Sequence, residues 1–174
     1  MFDKDAIFLK GKHATYTKRL VAKFNNEMKQ GIFARNLDVY MMAPLVGKLY
    51  NRKAEEDTGD DTRINKSQID GERKQLETIY RTLMLLENKD TLTAEERCNR
   101  AFQYDSDDER RKDGDKIFDS YVRGGIEVLY EKIMDGAKNE DDYVHNLHYF
   151  MVELKERCHE KLNLDEIREM CELK

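Results

Sequence analysis

Proline is nearly absent from this chain, with Pro44 alone among 174 residues. Tryptophan is missing, cysteine appears three times and glycine nine. Without evenly spaced turn signals, an all-β sandwich or barrel is excluded. Cys98, Cys158 and Cys171 are too few and too irregular for a disulfide framework, and read as reduced thiols. No apolar run approaches the roughly 20 residues of a membrane-spanning helix. The opening "MFDKDAIFLKGKHA" carries acids early and only a short apolar run, unlike a signal peptide. These absences predict a cytoplasmic protein with no membrane association.

Charge is abundant, at 39% of residues. Lys, Glu, Leu and Arg without proline favour helix. A chain of this length buries roughly 70% of its unfolded surface, enough for a core without metal or disulfides. The prediction is all-α: a single compact domain over 1–174, of six or seven helices, with "AIFLK" (6–10) as a short N-terminal strand or arm.

Tyr16, Leu20, Phe24 and Met28 recur every four residues, predicting a first helix that "KQG" at 29–31 breaks. "GIFARNLDVYMMAPLVGKLYNRKAEED" (31–57) predicts a second, widely apolar helix. Pro44 lacks an N–H and clashes with the Tyr40 carbonyl, so a kink or a break into two helices is expected there. Gly47 admits another backbone one turn later. Residues 54–71 are polar and aperiodic and predict a flexible loop. A helix with Leu76, Ile79, Tyr80, Leu83 and Leu86 follows. "TAEE" at 93–96 has the form of a capping box and starts a shorter one. "DSDDERRKDGD" (105–115) reads as a charged connection. Ile117 to Met134 then keep a four-residue rhythm, interrupted by Gly124 and Gly125, which predict a closely crossing helix or a kink. Tyr143–Leu162 forms the next helix, and Leu164, Ile167 and Met170 mark a last short segment.

The net charge of −5 conceals an asymmetry. Residues 1–53 hold 11 Lys and Arg against 4 Asp and Glu, a balance of +7, and residues 54–174 carry −12. The basic part proposes a nucleic-acid surface of Lys10, Lys12, Lys18, Arg19, Lys23, Arg35, Lys48, Arg52 and Lys53. Tyr16, Tyr40 and Tyr50 are candidates for base stacking, although packing is their commoner use.

Catalytic patterns do not assemble. His145 and His148 lie three apart, but no third ligand is placed to complete a metal site. Asp141 and Asp142 read as helix caps. The acidic stretch at 105–115 fails as a calcium loop, because Arg110 stands where glycine is needed. Cys158 and His159 are adjacent and diverge by about 100° on a helix. The acid-x-lysine element of metal-dependent nucleases occurs as "ELK" at 153–155 and 172–174, on helices rather than a strand. None of His13, His145, His148 or His159 has the arginine partner of helical defence ribonucleases. No phosphate-binding glycine loop exists. No catalytic residue, cofactor or metal is predicted.

The patch "GIFARNLDVYMMAPLVGKLYNRKAEED" and the later "YVRGGIEVLYEKI" resemble small helical accessory proteins of bacterial DNA phosphorothioation (Dnd-type) defence loci. The matching residues are Gly31, Ile32, Phe33, Asp38, Gly47, Arg52, Lys53, Gly124, Gly125, Ile126, Glu127 and Leu129. The long acidic loop and the extended tail depart from that pattern. The resemblance implies an accessory role in defence without catalysis by this chain.

The combined reading is a non-enzymatic accessory or binding subunit of a nucleic-acid-handling defence complex. It contacts DNA or RNA through its basic helices, or a larger protein partner, with homo-oligomerisation open. The alternatives are a dimeric regulator pairing "AIFLK" between chains as a ribbon, a protein–protein adaptor without nucleic-acid affinity, and, more weakly, a helical enzyme whose site is assembled from distant residues.

Overall fold

The computed structural model describes residues 2–23, 31–104 and 107–160. Among them the chain forms seven helices and a two-stranded antiparallel sheet. It divides into two compact units, Met1–Tyr130 and Glu131–Lys174.

In the first unit, β1 (Ala6–Lys10) runs into α1 (Gly11–Val21). The helix ends earlier than the apolar spacing predicts. Gly31 returns against the Val21 and Ala22 carbonyls, and the Phe33 N–H bonds the Leu20 carbonyl at 3.3 Å. That satisfies an end carbonyl which one more turn would have used. Phe24, Met28, Lys29 and Gln30 lie outside the described residues. α2 (Asn36–Leu49) starts where Asp38 accepts the Arg35 N–H at 2.9 Å and stops before Asn51, whose φ of 50° is left-handed. Pro44 sits inside α2 and is buried, so the helix is not broken in two.

The acidic stretch 54–71 is not an irregular loop throughout. It contains β2 (Asp61–Asn65) and α3 (Lys66–Gly71). β2 has one apolar residue, Ile64, so alternation could not announce it. Its order comes from pairing with β1, Ala6 opposite Asn65 and Lys10 opposite Asp61. "AIFLK" thus takes a partner from its own chain.

α4 (Arg73–Leu86) and α5 (Ala94–Phe102) follow. The capping box is reciprocal: the Glu96 N–H donates to Thr93 Oγ1 at 3.2 Å and the Thr93 N–H to Glu96 Oε2 at 2.8 Å. α6 (Asp108–Ile133) absorbs most of the predicted charged connection. Asp107 accepts the Glu109 and Arg110 N–H groups, and Arg111 pairs with Asp115 one turn on, so charge here caps and lines a helix.

The core joins α2, α4 and α6 through Leu37, Tyr40, Val46, Leu76, Leu83, Phe118, Tyr121, Ile126 and Leu129. Phe2 closes it, edge-on to Phe118 and Tyr80. α2 crosses α6 at glycine on both sides. A Cβ on Gly125 would strike the Ala43 carbonyl, and one on Gly47 the Tyr121 carbonyl. Gly125 therefore serves the closely crossing helix that its position predicts, and Gly124 admits the chain just beyond that helix, at Arg52 and Lys53.

The second unit contains the end of α6, a turn through Gly136 (φ 74°), and α7 (Glu140–Glu160). Asn139 caps α7 by accepting the Asp142 N–H at 3.0 Å, while Asp142 reaches back to the Lys138 and Asn139 N–H groups. Lys132 pairs with Glu153 at 2.7 Å. The Leu164–Met170 segment and Glu172–Lys174 lie outside the described residues.

Candidate functional site

The α2–α6 crossing delivers the basic end of α2 to two buried glutamates that the sequence did not single out as charge partners. Glu127, on α6, accepts from Lys12 at 2.8 Å, His13 Nε2 at 3.1 Å and Arg52 Nη2 at 2.8 Å. Glu87, just past α4, accepts from Lys48 and Lys53, each at 2.6 Å, and from the Tyr121 hydroxyl at 2.7 Å. Both lysines also lie over the Tyr121 ring.

Burial alone would raise both carboxyls. The donors win: Lys48, Lys53 and Tyr121 bring Glu87 down to about 2, and Lys12, His13 and Arg52 hold Glu127 below its ordinary value. Burial and the Glu87 carboxylate push the Tyr121 phenol up. Burial pushes His13 down against the pull of Glu127, so its imidazole is neutral at pH 7. A carboxylate only accepts, so His13 donates from Nε2 and keeps a lone pair on Nδ1.

Six of the nine predicted nucleic-acid residues therefore face carboxylates of their own chain. Beyond Lys12, Lys48, Arg52 and Lys53, Lys10 meets Glu56 at 2.9 Å, and Arg35 meets Asp38 at 2.6 Å and Glu72 at 3.1 Å. The other three lie on α1 and just beyond it. Lys18, Arg19 and Lys23 are exposed, and none has a carboxylate partner among the described residues. Arg19 is held by the Tyr130 hydroxyl at 2.6 Å, which leaves its charge uncompensated. The predicted surface is thus one group on α1 without carboxylate partners and a larger set paired with carboxylates, of which Lys10, Lys12, Arg35 and Lys53 remain exposed. Of the tyrosines, Tyr40 is buried, and Tyr16 stacks on Tyr130 at 3.9 Å, so neither is open to a base.

A cavity of about 350 Å³ lies between β1, the chain at 56–57 and α6. His13, Tyr40, Asp119 and Arg123 line it with the length of β1. His13 is 1% exposed, and its Nδ1 has no hydrogen-bond partner. Burial raises Asp119 and, together with Asp119 and Asp115, raises the Tyr40 phenol well above its usual range. Arg123 donates from Nε to the Ala54 carbonyl at 2.8 Å.

Among the described residues no three His, Cys, Asp or Glu side chains converge as metal ligands. His145 and His148 are exposed on α7. Glu153 of the first "ELK" is committed to Lys132 and Arg157. No described helix is long and apolar enough to cross a membrane.

No curated protein and no solved structure matches the chain. A family model does, and its match contains both patches that carry the resemblance noted above. That model, DNA sulphur modification system-associated protein 4, covers residues 11–168, and the chain belongs to this family.

Proposed function

We propose that the protein is a non-catalytic accessory subunit of a DNA sulphur modification and defence system, touching nucleic acid through Lys18, Arg19 and Lys23. The family description as an associated protein supports the accessory role. The nucleic-acid reading rests on one observation. These three cations are exposed and have no carboxylate partner among the described residues, whereas each of the other six predicted residues is paired with a carboxylate of the chain. Pulling Lys48 or Arg52 onto a phosphate would take one of three donors from a buried glutamate, a cost that Lys18 and Lys23 do not carry.

The test is DNA affinity measured between about 50 and 200 mM salt. Replacing Lys18, Arg19 and Lys23 together with alanine should flatten the log–log salt slope by about 0.9 for each phosphate no longer neutralised. Replacing Lys10 and Arg35 should leave it unchanged. If the wild type does not bind even at low salt, the nucleic-acid reading is wrong and the adaptor reading replaces it. That second reading has its own support on α7, where Val144, Tyr149, Met151 and Val152 are exposed.

A further inference from the structure

We propose that the open edge of β1, with the cavity beside it, binds an extended segment of a partner protein that adds to the sheet as a third strand. The parity of the ladder carries the argument. The Gly11 N–H bonds the Asp60 carbonyl at 2.8 Å, and the Lys66 N–H bonds the Asp5 carbonyl at 3.1 Å. In this antiparallel register, bonded and non-bonded positions alternate. Ile7 and Leu9 therefore face β2 with their backbone groups, and Ala6, Phe8 and Lys10 turn theirs the other way. The Lys10 carbonyl opens α1 as its N-cap. Among the described residues nothing outside the chain's own helices and strands hydrogen-bonds to the other five groups, the three N–H and the Ala6 and Phe8 C=O. An unpaired edge of this kind is a template for another strand.

The cavity lies on β1, and its chemistry narrows the occupant. His13 Nδ1 is buried, unpartnered and an acceptor. Asp119 accepts from the Tyr40 phenol, forms no ion pair among the described residues, and as a carboxylate keeps further acceptor capacity toward the cavity. Both call for a ligand bearing hydrogen-bond donors. The charges of Lys4, Lys10 and Arg123 cancel those of Glu56, Asp57 and Asp119 around the same wall. No net positive field is left to draw in a phosphate backbone. A neutral ladder of amides suits both the wall and the edge, with one inward side chain carrying a hydroxyl, amide or amine. β1 spans about 17 Å at about 3.4 Å per residue, so five or six residues would fill the edge.

The full-length protein would be titrated with blocked ten-residue peptides tiling the other proteins encoded in its locus, and backbone hydrogen exchange followed by residue. Without peptide, the Ala6, Phe8 and Lys10 amides should exchange faster than those of Ile7 and Leu9. A binding peptide should slow those three by about tenfold or more. Phe8→Pro removes an N–H from the open side only, a place where an edge strand tolerates proline, and should weaken binding by about tenfold. Asp119→Asn should weaken it as well. N-methylating the peptide amides that face β1 gives the same loss without altering the protein. The variant lacking Lys18, Arg19 and Lys23 should bind peptide normally, so this inference and the nucleic-acid reading fail separately. The proposal is overturned if no tiled peptide binds, or if one binds and leaves the three amides unprotected. Protection that rises with protein concentration alone would also overturn it, by making a second copy of this chain the occupant.

Discussion

Lys53 and Lys23 belong to the same basic third of the sequence, yet they do opposite things. Lys53 closes on Glu87 at 2.6 Å and lies over the Tyr121 ring, inside a cluster that holds α2, α4 and α6 together. Lys23 stands exposed beyond the end of α1. The difference comes from what the following chain brings opposite each of them. α6 and the end of α4 deliver carboxylates to the end of α2 and none to the outer face of α1. A charge surplus counted along the sequence therefore measures neither surface potential nor affinity until its partners are placed.

The sharpest way to break the inward cluster is to separate the helices that form it. Gly125→Ala puts a methyl against the Ala43 carbonyl, where backbone meets backbone and no rotamer can give way. Overpacking of this kind should cost about 4 kcal/mol or more. Urea denaturation should show stability falling by that amount. A loss under about 1 kcal/mol would mean that α2 and α6 slide apart easily and that the cluster does not depend on their crossing.

Removing the anion is next in size. Glu87→Ala leaves Lys48, Lys53 and the Tyr121 hydroxyl around an emptied site. Removing one partner of a buried pair costs about 3–5 kcal/mol, and partial exposure of Lys53 puts this case near the lower end. Equilibrium denaturation gives the value. A neutral result would make the Glu87 cluster a surface interaction of the ordinary weak sort.

Acid should reach the same carboxylate without mutation. Glu87 titrates near 2 in the folded chain, against an ordinary value of 4.5. A lowered folded pKa means that its stabilisation is complete above about 4.5 and disappears as pH falls toward about 2. The contribution is on the order of 3 kcal/mol. Glu127 is lowered too and adds loss of the same sign. His13 is also lowered, so stability should begin to fall below about 6.5, where the unfolded imidazole takes a proton that the folded one resists. Denaturation from neutral pH downward should show that shallow onset and then a steep loss. In Glu87→Gln the steep part should shrink, and an unchanged acid limb would assign the loss to other carboxylates.

Much of the frame was legible because it rests on local patterns. The four-residue rhythms announced α4 and α6, "TAEE" announced the capping of α5, and Gly47 with Gly124 and Gly125 announced a close crossing. β2 was hidden, since Ile64 is its only apolar residue and its order comes from β1, more than fifty positions earlier. The start of α6 was hidden in a charge run that looks like solvent-facing loop until Asp107 is seen to cap it. Glu127 entered as part of a family-like motif and Glu87 as an unremarked residue at a helix end. Nothing local shows that each collects cations from around positions 12 and 48–53, because that convergence exists only once α6 crosses α2. The cavity was equally unreadable, since His13 and Asp119 meet across more than a hundred residues.

The smallest expected effect on stability tests the other side of the comparison. If Lys18, Arg19 and Lys23 are open cations with no structural duty, replacing all three with alanine should barely move the fold. Lys18 and Lys23 give up no described ion pair. Arg19 gives up an exposed hydrogen bond to the Tyr130 hydroxyl and a place over its ring, 5.9 Å from the centroid. Exposed substitutions of this type stay within about 0.5 kcal/mol. Alanine also favours helix at Lys18 and Arg19, which offsets part of that loss. The midpoint of denaturation should therefore stay nearly where it is while the salt dependence of DNA binding flattens. If stability instead falls by about 2 kcal/mol or more, beyond what surface changes produce, these residues support the packing of α1 in the same manner as the paired set. The distinction between spent and open cations would then disappear, and with it the reason for placing nucleic acid on α1.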